Sequence, residues 1–343
     1  MLITFLDDSV SFDGNSGIER ALGGSEKALV ALAKALCRRG HTVRVFNRCI
    51  SATVVDGVSW QPIETCEAAY SDWLIANRKP TLLSHVPNAD RVGLWVTGHG
   101  GYLESPGPLK AMKSRKPTLF LQVLAQSVTV PHSLQVSAAE VVPPATLDCY
   151  RNAGAMVTAS PKRAVVTTHP KNGLNWLLGL WYKQISMHVP DAEVHIYSAL
   201  LSRGPEFDVP SEEVAAIFRL MAESNNSTVK IFEPVPDIQM AEVYRRARAH
   251  VYPGNDRDLV CGTLADSQAV GVPAVARGVG GVRERILNGR SGFVASDDGA
   301  FRDRVIELIK DDEVFGEVSK VAKSQQAKRS WDNVASDLER IFS

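Results

Sequence analysis

Three segments at the start of the chain constrain its fold most. Residues 2–6 read as a short buried strand, and a polar, Gly-rich loop follows from Asp7 to Gly24. Ser25 then reads as the N-cap of a helix in which Ala28, Leu29, Leu32, Ala33 and Leu36 recur at helical spacing. Gly40 closes that helix, and His41 to Phe46 makes the next strand. Strand, helix and strand with a crossover of this length form a right-handed βαβ unit, which commits the chain to a parallel sheet.

The alternation continues. Further strands are expected at Thr81–Val86, Val92–Val96, Thr118–Val123 and Val128–Val130. The consecutive prolines of Val141 to Pro144 break regular structure and suit a crossing between domains. Beyond them, strands are expected at Met156–Ala159, Ala164–Thr167, Glu193–Tyr197, Val229–Phe232, His250–Tyr252 and Ala274–Ala276. Helices are expected from Leu174 to Ser186, with Trp176, Leu177, Leu180 and Trp181 as a buried stripe, and at Met240–Arg248 and Leu264–Ala269. With 343 residues, two α/β halves of ordinary domain size fit this pattern.

Bulk composition excludes several classes. Lys+Arg and Asp+Glu balance at 38 each, so bulk charge does not argue for a nucleic-acid partner. Five scattered cysteines without a Cys-x-x-Cys spacing fit a reducing compartment and no zinc site. The first six residues before Asp7 are too short for a signal or membrane span, and cytoplasmic use is expected.

The stretch Asp258 to Arg277 carries the chemistry. It sets two carboxylates, Asp258 and Asp266, eight positions apart, with a Gly-containing turn after the first and a helix carrying the second. Small apolar and Gly residues at a helix head leave backbone N–H groups free to meet an anion. A carboxylate a turn or two further on can take two sugar hydroxyls. Phosphate and ribose together add up to a nucleoside diphosphate.

These residues resemble the nucleotide-sugar glycosyltransferases of the GT-B fold, the retaining family-4-like group. The resemblance covers most of the chain. It is strongest at Ala21 to Glu26, at Lys171 to Leu178 leading to Pro190–Tyr197, at Asp258 to Val275, and at Gly280 to Glu284 with Asn288 to Phe293. Residues Trp331 to Phe342 are similar to that family's last helix. The resemblance implies an α/β chain with two Rossmann-like domains facing a cleft. They would be an acceptor-side domain at 1–150 and a nucleotide-sugar domain at 151–327, with 328–343 a helix crossing back onto the first.

The family's Glu-x7-Glu signature falls on Asp258 and Asp266, each shorter by one methylene, about 1.5 Å of reach. The resemblance implies that the first acid lies near the transferred sugar and the second on the ribose. Val260, Cys261, Gly262 and Thr263 between them would approach the diphosphate. Gly23 and Gly24 would let a helix start approach the same group. His99, between glycines after a strand, would face the sugar, and Glu284 would lie near it. Relatives carry an Arg in the loop entering the second domain's first helix. Here that loop reads Thr167 to Gly173, Asn172 stands at the Arg position, and Lys171 is the main cation, with His169 a second candidate.

The assigned roles are therefore His99, Lys171 and Asp258 as catalytic residues and the remainder as donor-binding. Each also has a plainer reading: His99 as a structural histidine, Gly23 and Gly24 as an ordinary loop, and Glu284 as a surface acid. Cys261 reads as a small apolar residue. Asp256 to Asp258 spells Asp-x-Asp, but no essential metal and no cofactor are expected. The donor would be a UDP- or GDP-sugar and the acceptor a carbohydrate or lipid-linked one. The basic run Lys110 to Lys116 reads as a solvated face or a peripheral membrane contact. Two rivals stay open: a sugar-nucleotide 2-epimerase of the same fold, and a non-catalytic member that binds a nucleotide sugar.

Overall fold

The computed structural model describes residues 1–66, 70–205, 211–224 and 226–343. Two compact units divide the chain, one of residues 1–145 with 329–343 and the other of 146–328. Among the described residues no helix is long and apolar enough to cross a membrane.

The first unit is built on eight strands: β1 (Leu2–Leu6), β2 (Thr42–Asn47), β3 (Thr53–Val55), β4 (Val58–Pro62), β5 (Ser71–Asn77), β6 (Ala89–Val96), β7 (Thr118–Leu121) and β8 (Ala138–Val141). Their order is β3-β4-β2-β1-β5-β6-β7-β8. Among the described strands only the β3–β4 hairpin runs antiparallel. Helix α1 (Gly24–Arg38) makes the expected β1–β2 crossover, burying Leu29, Leu32, Ala33 and Leu36. It starts two residues earlier than its sequence suggests. Gly23 is the N-cap, and Ser25 instead exchanges hydrogen bonds with Asn77.

Two expected strands are absent. Thr81–Val86 lies largely in a 3-10 turn, Pro80–Ser84, because a proline at its first position fixes φ and removes a donor. Its Leu82, Leu83 and Val86 are still buried, so the apolar run reports core membership and not strand geometry. Val128 and Thr129 likewise end a 3-10 turn, Leu124–Thr129, and Val130 is its C-cap. The strands that fill these gaps are β5 and β8.

The second unit is a six-stranded, all-parallel sheet of β9 (Arg163–Val166), β10 (Glu193–Tyr197), β11 (Val229–Phe232), β12 (Ala249–Tyr252), β13 (Ala274–Arg277) and β14 (Gly292–Ala295), in the order β11-β10-β9-β12-β13-β14. Alternate side chains point to opposite faces. Ala164, Val166, Val251 and Val275 join one core with α2 (Leu174–Leu180) and with Phe301 and Val305 of the helix Asp298–Lys310. Val165, Tyr252, Ala274 and Ala276 face the other side, toward α3 (Gly262–Val270). Residues 156–159, expected as a strand, have no regular structure. Helix α2 continues as a π-helical turn, Trp181–Ile185, and Trp181 is fully buried.

The chain then returns to the first unit as α4 (Trp331–Phe342). Ser330 and Asn333 form a capping box at its start. Trp331, Val334, Ala335, Leu338 and Phe342 make its buried stripe, and the Phe342 ring lies 4.7 Å from that of Trp73. On the opposite edge of the stripe, Glu339 meets Arg39 at 2.5 Å and His41 at 2.9 Å. The hydrogen bond from Arg39 lowers the Glu339 carboxyl to about 2, from an ordinary 4.5.

A depressed folded-state pKa gives stability that is present above pH 4.5 and lost as pH falls toward 2. We therefore expect Glu339→Gln to flatten the acid limb of a thermal-unfolding pH profile in that window. Solvent screening limits the difference above it to about 1 kcal/mol. Superimposable acid limbs would contradict the assignment.

Candidate active site

The C-terminal ends of β9, β12 and β13 are neighbours in the second sheet, and the loops that leave them gather most of the expected residues. After β12 the chain turns at Asp258 and enters α3. Cys261, the N-cap, sits at φ 47, in the left-handed region. The Asp258 carboxylate holds this turn. One oxygen accepts the Cys261 amide at 3.0 Å and the other accepts the Tyr252 hydroxyl. Burial, reinforced by the Asp258 charge, raises the Tyr252 phenol, so it stays a donor. Burial also pushes the Cys261 thiol up to about 12. The thiol is protonated at neutral pH and is not a nucleophile.

The β13 exit supports the turn from beneath. Gly281 donates to the Asp258 carbonyl at 3.0 Å, and a Cβ there would collide with the Leu259 carbonyl oxygen. Arg285, 8% exposed, gives its Nε to the Val260 carbonyl at 2.8 Å, while one terminal nitrogen has no hydrogen-bond partner. Burial lowers the Arg285 pKa, and the charges of Glu284, Asp266 and Asp258 act against that shift. Gly262 is exposed, with nothing within 4 Å of where its Cβ would be. The first amides of α3, at Gly262 and Thr263, lack intrahelical acceptors by position. A carbonyl-held turn, an open glycine and free amides can take an anion.

Asp266 lies one turn into α3 and is 5% exposed. Its charge is felt by the buried Tyr150 phenol, which burial and that charge together raise. Ser267 beside it accepts or donates at 2.8 Å to His250, whose other ring nitrogen meets Thr167 at 3.1 Å. Burial drops His250 to about 3, so this bridge between the β9 exit and α3 is neutral. Glu284 is exposed on the short helix Val282–Arg285.

Lys171 and His169 are exposed in the β9 exit loop, and the Lys171 amide donates to the His169 ring at 3.2 Å. Asn172 accepts from Asn255 at 3.2 Å, which joins this loop to the one leading to Asp258. Lys171, Asn172 and the 258–263 turn are thus brought to one edge. In the first unit, His99 is exposed just past β6, where its Nδ1 accepts the Gly101 amide at 3.1 Å and caps a 3-10 turn.

The head of α1 is more crowded than its two glycines suggest. Glu26, 6% exposed, meets Arg78 at 2.7 Å, and Arg78 reaches the fully buried Asp7 at 3.2 Å. A Cβ on Gly23 would run into the Glu26 carboxylate, whereas Gly24 has open space. The first unit's cavity of about 920 Å³, lined by Arg91, Arg115, Thr118, Ser137 and Arg340, opens at the strands' N-terminal ends. His99 lies at the other edge.

Sequence reasoning missed Tyr252, Arg285, His250 and Arg277. His250, Tyr252 and Arg277 lie in apolar strands and Arg285 in a short helix, where pattern alone reads them as core. Trp176, expected in the buried stripe, is only half-buried, with the Arg277 guanidinium 4.5 Å above its ring.

Two parallel-sheet units with these topologies are the GT-B fold. Residues 163–311, within the second unit, match the family described as glycosyl transferases group 1. A D-inositol 3-phosphate glycosyltransferase of Corynebacterium urealyticum is 27% identical over 116 residues, covering 33% of this chain and 27% of that protein. This chain spans less than half the length of the curated relatives it matches first. Among solved structures, sucrose-phosphate synthase from Thermosynechococcus elongatus superposes with TM-score 0.76 at 14% identity over 99% of this chain and 98% of its own. Anabaena Alr3699/HepE, in complex with UDP-glucose, gives 0.73 at 13% identity over 99% of each chain.

Gly281→Ala is the sharpest test of the turn. The φ of Gly281 is −85, so the cost is steric and not conformational. We expect a loss of about 1–3 kcal/mol in denaturant unfolding. Gly262→Ala, with open space around it, is expected to stay within about 0.5 kcal/mol of the parent. Equal stability of the two variants would overturn this account of the turn.

Proposed function

We propose that the protein transfers a sugar from a nucleoside diphosphate donor to a carbohydrate acceptor, with retention at the anomeric carbon. The observation that carries the reading is the Asp258–Thr263 turn. It presents an exposed glycine and unpaired helix-start amides at the C-terminal edge of a parallel sheet, inside the segment matched to glycosyl transferases group 1. Ligands bind at such edges in open α/β sheets. One fold neighbour, Anabaena Alr3699/HepE, forms a complex with UDP-glucose, which supports a uridine donor here.

In this reading the α3 amides and Lys171 receive the charge that builds on the departing diphosphate. Such preorganised donors need no reorganisation as charge develops. Asp266 takes the ribose hydroxyls, and the Asp258 turn lies against the sugar. No carboxylate pair is assigned as acid and nucleophile; stabilisation of the leaving group is the main contribution.

One observation favours a second reading, a member that binds a nucleotide sugar without turnover. Both oxygens of Asp258 are already engaged within the turn, which leaves less of that acid for a substrate.

Incubation with UDP-, GDP-, ADP- and dTDP-sugars and a pool of acceptors separates these readings. Release of a nucleoside diphosphate is expected from one donor; binding without release supports the second reading. A hydrogen bond to an ionised partner is worth about 1.5–3 kcal/mol, so Asp266→Ala is expected to weaken donor use roughly ten- to 150-fold. Unchanged donor affinity in that variant would remove Asp266 from the ribose site.

A further inference from the structure

We propose that Arg277, from the end of β13, supplies the diphosphate-binding guanidinium that the β9 exit loop lacks at Asn172. The inference rests on the reading of the second unit as a nucleoside diphosphate site.

Strand parity places Arg277 on the same face as Val275, the face covered by α2. There its guanidinium lies 4.5 Å from the Trp176 ring centroid. Its Nε donates to the Pro253 carbonyl, and its Nη2 donates to the Gly254 carbonyl at 3.3 Å. Trp176 is itself fixed, its indole donating to Asp298 at 3.1 Å and its ring packing edge-on to Phe301. Arg277 is thus aimed by two carbonyls and a ring. Among the described residues it forms no ion pair, and its Nη1 has no hydrogen bond.

The position of that guanidinium connects it to the site. Gly173, at φ +88, would put a Cβ 3.0 Å from Arg277 Nη2 and 3.0 Å from the Pro253 side chain. Only a glycine there lets Arg277 close against the loop that carries Lys171 and Asn172. The Asn172–Asn255 bond fastens that loop to the segment whose carbonyls hold Arg277. Arg277 therefore sits where the β9, β12 and β13 exits meet, beneath the loop from which the missing cation would have projected.

A half-buried charge that meets only neutral groups is a charge short of its counter-ion. Carbonyls and a ring orient the fork but leave its charge uncompensated. A diphosphate would supply two anionic groups to it. A planar fork that can stack and bind two oxygens at once suits that task better than an ammonium group.

Isothermal titration of the wild type, Arg277→Met and the double variant Arg277→Met/Asn172→Arg with UDP, GDP, uridine, guanosine and inorganic pyrophosphate tests the proposal. We expect Arg277→Met to bind the nucleoside diphosphate and pyrophosphate roughly ten- to 150-fold more weakly, with nucleoside affinity unchanged. Restoring a guanidinium at Asn172 should recover at least about tenfold of that loss. Wild-type affinity for the diphosphate in Arg277→Met overturns the inference while leaving the functional reading intact. Equal losses for nucleoside and diphosphate, with no recovery in the double variant, also overturn it, because a residue that only staples the loops would behave so. Failure of the wild type to bind any nucleoside diphosphate or pyrophosphate would remove the functional reading and this inference together. Should Arg277→Met not fold, Arg277→Gln carries the decision on the same criteria, since it retains hydrogen-bond donors and drops the charge.

Discussion

The contact on which the second unit's site depends is the approach of the Gly281 backbone to the carbonyls of Asp258 and Leu259. No side chain fits between them, and the buried Arg285 adds a third hold at the Val260 carbonyl. Two chain segments that leave neighbouring strands are thereby locked together at their backbones. The lock fixes the left-handed Cys261, and through it the direction of α3. The turn is held at the Asp258 and Val260 carbonyls, and the α3 amides of Gly262 and Thr263 that follow it lack intrahelical acceptors, which is what an anion site requires. Preorganisation of this kind costs nothing when charge later develops in front of it.

The charges around the turn divide by burial. Arg285 is buried and acts on the scaffold through its bond to Val260, and the charge of the buried Asp266 helps raise the Tyr150 phenol. Lys171 is exposed, and Arg277 is held between ring and carbonyls. His250, kept neutral by burial, ties the β9 exit to α3 without adding charge near the turn. Asp258 belongs with the scaffold too, since its carboxylate closes the turn against Tyr252 and Cys261. The shorter acid is suited to that inward bond. A glutamate would carry its oxygens about 1.5 Å further and could not make the same pair of contacts without moving the backbone.

Much of the fold was legible in the sequence, for physical reasons that differ between elements. Glu193–Tyr197 and Val229–Phe232 are short β-branched or aromatic runs bounded by polar residues, and both form strands at the expected positions. The helix Trp331–Phe342 was legible through its similarity to the family's last helix, and its buried stripe fits that reading. Thr81–Val86 shows the limit: a short apolar run reports burial, and a single proline decides whether it is extended. Spacing brought Asp258 and the turn into view because the amide cradle is local in sequence. Arg277 and Trp176 stand a hundred residues apart, and only the β9–β12–β13 order brings them together. Gly23 illustrates the same point in the first unit, where Glu26 and Arg78, invisible as neighbours in the chain, crowd the helix head.

Amide hydrogen exchange with and without UDP tests the central claim most directly, because it reads the backbone cradle itself. Slowed exchange is expected at the amides of Gly262 and Thr263 and in the 171–173 loop, with little change in β10 and β11. Protection confined to other segments, with exchange at Gly262 and Thr263 unaltered under saturating nucleotide, would contradict it.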